Sequence, residues 1–368
     1  MKAKQIFSDK KELKGILSDF ETGLKGFDTK VLMVFSSSQH DTKKLSEGLH
    51  DLFPGVEVIG ATTSGELASG VMSDGAVSAM ALSSEVVEDV KIEVVEDAGA
   101  DGDVKGAFRS FEEYYGEKPM DMDFQKYAGI VLFDGLSLSE EDLMERIGES
   151  TDILFVGGSA GDDLKFEQTT LYYKGQTYHN AAILALLKMK AEFDFIKTQS
   201  FDVLDKKLVA TKVDEETRTV LEFNGKPATE AYAEAIGVKE SELEDFFMSN
   251  PLGLVAGEEI FVRSPQRVDG QKVVFYCQIL EGMEVNVLKG LDIVEDTAKA
   301  LRDKEKELGS ISGIVNFHCI LRTLELKNKG LTEEYGNVFS DYPTAGFSTY
   351  GEAFLGHINQ TSTMLVIK

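Results

Sequence analysis

Gly60-Ala61-Thr62-Thr63-Ser64-Gly65-Glu66 is the phrase on which the fold turns, because the chain writes it three times. It recurs one residue out of step as Gly157-Gly158-Ser159-Ala160-Gly161-Asp162-Asp163, and again as Gly346-Phe347-Ser348-Thr349-Tyr350-Gly351-Glu352. Upstream of each copy lies an apolar run closing in phenylalanine: Leu32-Met33-Val34-Phe35, Ile130-Val131-Leu132-Phe133 and Ile314-Val315-Asn316-Phe317. The step from that phenylalanine to the opening glycine is 25, 24 and 29 residues. Another apolar run follows each phrase, through Ala79-Met80-Ala81-Leu82, Ile183-Leu184-Ala185-Leu186 and Met364-Leu365-Val366-Ile367. A repeated strand–helix–strand–turn–strand unit cannot bury its own apolar face alone, so the repeats must pack together and their turns converge.

The intervening segments read as helices. Asp41 caps one whose Leu45, Leu49, Leu52 and Phe53 share a face, and Pro54-Gly55 stops it. Ser139 and Asp142 form a capping-box pattern ahead of Leu143, Met144 and Ile147. Beyond Leu187 the texture changes. A hairpin is expected over 208–223, then a helix opened by Pro227 and closed by Gly237. A second hairpin would join Ile260-Phe261-Val262-Arg263 to Val273-Val274-Phe275-Tyr276 through Asp269-Gly270. A long helix with Val294, Ala298, Leu301 and Leu308 on its apolar side leads to the third repeat. The expected architecture is mixed α/β: β-α-β-turn-β units forming sheets covered by helices. A boundary near Asp205 divides it into 1–205 and 206–368, two closely packed parts without a long linker.

Composition narrows the function. A chain of 368 residues buries a substantial core without staples. The net charge of −26 offers no footprint for nucleic acid and is repelled by anionic membranes. Two cysteines, Cys277 and Cys319, make no disulfide framework, and no signal-peptide or membrane-spanning run is present, which together favour the cytoplasm.

The phrases carry hydroxyls and acids at turns where α/β folds place ligands: Thr62, Thr63, Ser64 and Glu66; Ser159, Asp162 and Asp163; Ser348, Thr349, Tyr350 and Glu352. Their glycines read as permission for positive φ. Each phrase runs on into a strand and lacks the Gly-Lys-Ser/Thr ending of a P-loop, so nucleotide binding is disfavoured. After Phe317 comes His318-Cys319-Ile320-Leu321-Arg322. Arg322 suits a carboxylate clamp through its planar fork, with an internal ion pair as the structural alternative. Counted from the closing phenylalanines, Ser36 and Asp134 take the place of His318. His318 and Cys319 are neighbours on a strand and point apart, so they make a poor nucleophilic pair, and Cys319 reads as a buried core residue. The five histidines lack paired-ligand spacing, and no Gly-x-Ser-x-Gly elbow occurs. No enzyme is expected.

At these residues the chain resembles the FIST family of intracellular sensory modules, which have an N-terminal and a C-terminal part. The resemblance rests on the phrase from Gly60 to Glu66, on Gly157-Gly158-Ser159-Ala160-Gly161-Asp162, on Asn224-Gly225-Lys226-Pro227-Ala228, on Cys319 with Arg322, and on 345–352. It implies binding of a small polar metabolite, with amino acids proposed, and output through a kinase, chemoreceptor or cyclase-type effector, here a separate protein. Some relatives bind haem and sense nitric oxide. The expectation is therefore a stand-alone, non-catalytic sensor without a cofactor. Arg322 would hold an amino acid's carboxylate, Glu352 or Asp162 its ammonium, and Thr62, Thr63 and Ser348 the polar lining, with Ser64, Glu66, Thr349, Tyr350, His318 and Cys319 nearby. In the alternative, a haem-based gas sensor, His318 is the preferred axial ligand, ahead of Cys319, His179 and His357. The least favoured alternative is an enzyme of unrecognised class, with Cys319 as its first candidate.

Overall fold

Each repeat builds the same parallel pair of strands and then gives a hairpin away. The computed structural model describes residues 1–99, 102–257 and 259–368. The first repeat comprises β1 (Ala3–Ser8), α1 (Leu13–Leu24), β2 (Thr29–Ser37), α2 (Thr42–Leu52) and β3 (Glu57–Thr63). The hairpin β4 (Glu66–Ala68) and β5 (Val71–Ser73) follows, then β6 (Val77–Ser83). The second comprises β7 (Val87–Glu96), α3 (Val104–Tyr115), β8 (Tyr127–Phe133), α4 (Glu140–Gly148) and β9 (Phe155–Ser159). Its hairpin is β10 (Leu171–Tyr173) and β11 (Gln176–Tyr178), and it ends in β12 (Ala181–Met189). β13 (Phe193–Gln199) leads out of it.

An inserted segment holds β14 (Phe201–Asp214), β15 (Thr219–Phe223), β16 (Lys226–Pro227), α5 (Ala228–Ile236), β17 (Leu252–Ala256), β18 (Glu259–Arg263), β19 (Pro265–Asp269), β20 (Lys272–Phe275) and β21 (Glu284–Gly290). The third repeat then runs through α6 (Ile293–Leu308), β22 (Gly313–Cys319), α7 (Ile320–Lys329), α8 (Thr332–Asn337) and β23 (Thr344–Thr349). It closes with β24 (Glu352–Phe354), β25 (His357–Ile358) and β26 (Thr361–Ile367).

The hairpins are exchanged in a cycle. β4 pairs with β23 of the third repeat, β24 pairs with β9 of the second, and β10 pairs with β3 of the first. Three six-stranded sheets of one order result: β1-β6-β2-β3-β10-β11, β7-β12-β8-β9-β24-β25 and β13-β26-β22-β23-β4-β5. Their inner faces meet in one core containing Phe35, Leu132, Phe317 and Phe347, with Phe35 stacked on Phe347 at 4.7 Å. The outer faces of the first two sheets are apolar and covered by helices, through Phe20 and Leu45 in one case and Phe111 and Leu143 in the other.

Strand register corrects the sequence alignment. Val34 faces Gly60, Val131 faces Gly157 and Asn316 faces Gly346, so the opening glycines are in step and only the closing glycine of the middle phrase, Gly161, comes early. By the two-residue period of a strand, Leu132 is the counterpart of Phe35 and Phe317. Phe133 turns outward, and it takes the place of His318 rather than Asp134.

The glycines are also there for another reason than expected. A Cβ on Gly60, Gly157 or Gly346 would lie 2.2, 1.7 or 2.1 Å from the facing carbonyl oxygen of Val34, Val131 or Asn316. Space, not positive φ, demands them; only Gly65 among the phrase glycines takes a positive φ, at 130°.

By compactness, residues 1–197, 297–357 and 362–368 form one unit, and 198–296 with 358–361 form another. The expected boundary near Asp205 falls inside β14. In the second unit α5 is closed by Gly237 in the left-handed region (φ 79°), as its sequence predicts. The hairpin expected there re-pairs: β18 joins β17, and the turn at Asp269-Gly270 connects β19 to β20. Ser139 precedes α4, but its side chain makes no capping bond.

Candidate ligand-binding site

The three phrases end at the C-terminal edges of their parallel pairs and are stitched together by backbone. Ser64 N–H donates to Ser348 O and Ser348 N–H to Gly65 O; Ser159 N–H donates to Gly351 O and Tyr350 N–H to Ser159 O; Gly161 N–H donates to Thr62 O. The convergence expected from the repeats is therefore built, and it places Thr62, Ser64, Ser159, Ser348 and Tyr350 in one neighbourhood.

Most acids of these phrases are occupied in holding the turns. Thr63 donates its hydroxyl to Glu66, whose other oxygen accepts from Ala76 N–H at 2.8 Å. Thr349 donates to Glu352 three residues on, the same device in the third phrase. Glu66 is fully buried, and burial first, then the nearby Asp163 and Asp74, push its pKa up to about 8 against those two hydrogen bonds. Asp162 accepts from the amides of Phe166, Glu167 and Gln168 at 2.9, 2.7 and 3.0 Å and from the Tyr350 hydroxyl. Burial would raise its pKa, but these four donors hold it below the ordinary value. Thr62 Oγ1 accepts from Thr170 N–H at 2.9 Å.

The third repeat departs from the other two on the outer face of its sheet. Where the first two carry Val34 with Ser36 and Val131 with Phe133, this one carries Asn316 and His318. Both are fully buried, beside Ser348 on β23 and Ser362 on β26. Arg322 belongs to the first turn of α7, a helix of 10 residues without a side-chain N-cap. It is the largest fully buried side chain, 1% exposed, and its Nη2 donates to Thr297 Oγ1 at 2.9 Å. Its Nε and Nη1 have no partner, and among the described residues it makes no ion pair. The adjacent Thr323 shares a 2.7 Å hydroxyl bond with Ser348, which ties α7 to the third phrase.

His318 meets the Tyr335 hydroxyl through Nδ1 at 2.9 Å, while its Nε2 is unpartnered. Burial and the Arg322 charge depress its pKa well below the usual value, so the ring is neutral. Tyr335 is fully buried with that one hydrogen bond among the described residues, so its O–H donates to Nδ1 and the ring proton lies on Nε2. Ser362 donates to Asn316 Oδ1 at 2.7 Å, leaving Asn316 Nδ2 without an acceptor. Cys319 holds the N-cap position of α7 without a capping bond and is fully buried, one residue off the face of His318. Asn316 escaped the sequence reading because it looked like one residue of an apolar strand; the valines at its counterparts were the available signal.

A cavity of about 900 Å³ opens elsewhere in this unit, at the N-terminal ends of β8 and β9, lined by Phe124, Leu154, Met189 and Phe193. None of the expected site residues borders it. No helix among the described residues is long and apolar enough to cross a membrane.

Comparison with known proteins agrees with this architecture. Residues 30–226 match the FIST N domain and residues 228–354 the FIST C domain, nearly the whole chain. An uncharacterized protein of Methanocaldococcus jannaschii is 26% identical over 209 residues, which is 51% of this chain and 40% of that protein. The chain thus spans well under two thirds of that relative's length. Repeats, exchanged sheets and domain matches lead to one conclusion: the chain belongs to the FIST family, whose domains are associated with sensory roles in signal transduction and are not a known enzyme family.

Proposed function

We propose that this chain is a cytosolic, non-catalytic sensory module, and that its third repeat binds the carboxylate of a small polar metabolite on Arg322. One observation carries the reading: a fully buried guanidinium with two unpartnered N–H groups and no ion pair among the described residues. An unpaired buried charge costs several kcal/mol, roughly 3–5 by the effect of breaking buried pairs, and a bound carboxylate removes that cost. An amino acid is the class the family resemblance suggests. Glu352 and Asp162, the expected partners of its ammonium, already accept hydrogen bonds from Thr349 and from Tyr350 with three amides. The carboxylate half of the reading is therefore the better supported. A kinase, chemoreceptor or cyclase-type effector would receive the signal.

Haem is the rival reading. Nε2 of His318 is unpartnered, but it would have to give up the ring proton to take an axial position. A porphyrin also needs a wide apolar slot, whereas this histidine shares its surroundings with Asn316, Ser348, Thr323 and Arg322, so the residues present do not fit it. Calorimetric titration of wild type and Arg322→Ala against a panel of amino acids and other small carboxylates tests the proposal. Binding that is retained by a folded Arg322→Ala variant would sink it, and a stoichiometric Soret band lost in His318→Ala would replace it with the rival.

A further inference from the structure

Four buried polar atoms of Asn316, His318 and Arg322 are unmet donors. They are Nε and Nη1 of Arg322, Nδ2 of Asn316, and Nε2 of His318, which carries the ring proton because Tyr335 donates to the other nitrogen. Arg322 Nη2 has given only one of its two hydrogens to Thr297, so a bidentate edge of the guanidinium is still free. Asn316 Oδ1 accepts from Ser362, and the Ser348 and Thr323 hydroxyls share one hydrogen bond. Among Asn316, Thr323, Ser348 and Ser362, no side-chain oxygen is without a hydrogen-bond partner.

Resting on the carboxylate reading above, we infer that the guest is an oxyanion whose neighbouring carbon bears an acceptor instead of an ammonium. A 2-oxo acid has this chemistry. Its carboxylate takes the Arg322 edge, and its oxo oxygen accepts from Asn316 Nδ2 or His318 Nε2. An amino acid of the same skeleton presents three N–H donors to a face that already has an excess of donors. A neutral His318 fits the same logic, since it donates one proton without adding a second positive charge. A site built to donate to a ligand oxygen discriminates strongly against the analogue that cannot accept.

The test is titration calorimetry on the full chain with matched pairs that differ only at the second carbon, pyruvate against alanine and 2-oxoglutarate against glutamate, with inorganic phosphate as a third probe. The expected result is that one 2-oxo acid binds at least about tenfold more tightly than its amino acid, in line with the cost of an unpaired buried polar group. Both Arg322→Ala and Asn316→Val should lose that binding; should the first not fold, the second carries the test. An amino acid that binds as tightly as its 2-oxo partner, and depends on Arg322, overturns the inference while leaving the carboxylate reading intact. Phosphate binding as tightly as the 2-oxo acid overturns it in favour of a general oxyanion site. No binding by any probe removes the carboxylate reading itself, and the inference with it.

Discussion

Asn316 stands opposite Gly346 in the register that Val131 holds opposite Gly157, with a facing glycine pressed against a strand carbonyl in both cases. Two copies of one backbone thus carry different side chains at the same outward-facing place. In the second repeat that place is ordinary core. In the third it is a buried amide with an unmet N–H, on the strand that leads into the helix of the unpaired Arg322.

Restoring the repeat at this place should separate stability from binding. Asn316→Val removes a buried unsatisfied donor, which ordinarily costs about 1–3 kcal/mol, though it also releases the Ser362 hydroxyl. The variant should melt at the wild-type temperature or a few degrees above it, and lose ligand. A large drop in the thermal midpoint by calorimetry would mean that the amide is structural.

Arg322 should dominate affinity. A ligand of about ten heavy atoms gaining roughly 0.6–0.8 kcal/mol per atom binds with a Kd from tens of micromolar toward one micromolar. Arg322→Ala should forfeit about 2–4 kcal/mol of that, and Arg322→Lys should recover only part, because an ammonium lacks the fork. Full recovery by lysine would indicate a simple point charge.

The opening glycines should be among the least replaceable in the chain. Gly157→Ala puts a methyl 1.7 Å from Val131 O, a backbone atom held by a sheet, and should cost about 3 kcal/mol or more. Gly148→Ala, at the end of α4 with nothing within 4 Å of its Cβ, should be neutral or slightly stabilising. Urea denaturation of the two variants side by side decides the matter; similar midpoints would contradict the close approach.

Glu66 makes stability depend on pH in the sense opposite to most carboxyls. Its proton is held in the folded chain up to about pH 8, whereas the unfolded group ionises near its model value of 4.5. The stabilisation is whole below the unfolded value and declines as pH rises through that interval, by about 1.4 kcal/mol per unit. Relative to wild type, Glu66→Gln should therefore gain stability as pH is raised from about 5 to about 8. Parallel melting profiles across that range would show that Glu66 ionises normally.

The three phrases and their apolar strands were legible because periodicity and turn chemistry are local. What escaped were properties that only pairing fixes. The phenylalanine ending each run looked like a common landmark, yet Phe133 lies one residue past Leu132 and so faces the other way. The glycines looked like turn residues, and their true constraint is a carbonyl on the neighbouring strand. Asp162 and Glu352 looked like free ligand groups, but the amides of 166–168 and the hydroxyls of Tyr350 and Thr349 reach them only in the folded chain. Arg322 stood out in the sequence; Asn316, its companion on the same polar face, was hidden inside a hydrophobic run.

The exchanged hairpins also govern how the molecule comes into being. On the ribosome, β3 can find β10 early, but β4 must wait for β23 and β9 for β24, which lie at the far end of the chain. Leu67 and its partner Gly346 are separated by most of the sequence. A nascent or truncated chain ending after the FIST N domain would therefore display unpaired strand edges on two sheets, an invitation to pair with its neighbours. Contacts so distant in sequence slow folding, and these edges stay unpaired until the last repeat emerges. Once the third repeat is in place the ring is locked, and no repeat can leave without breaking strands in the other two.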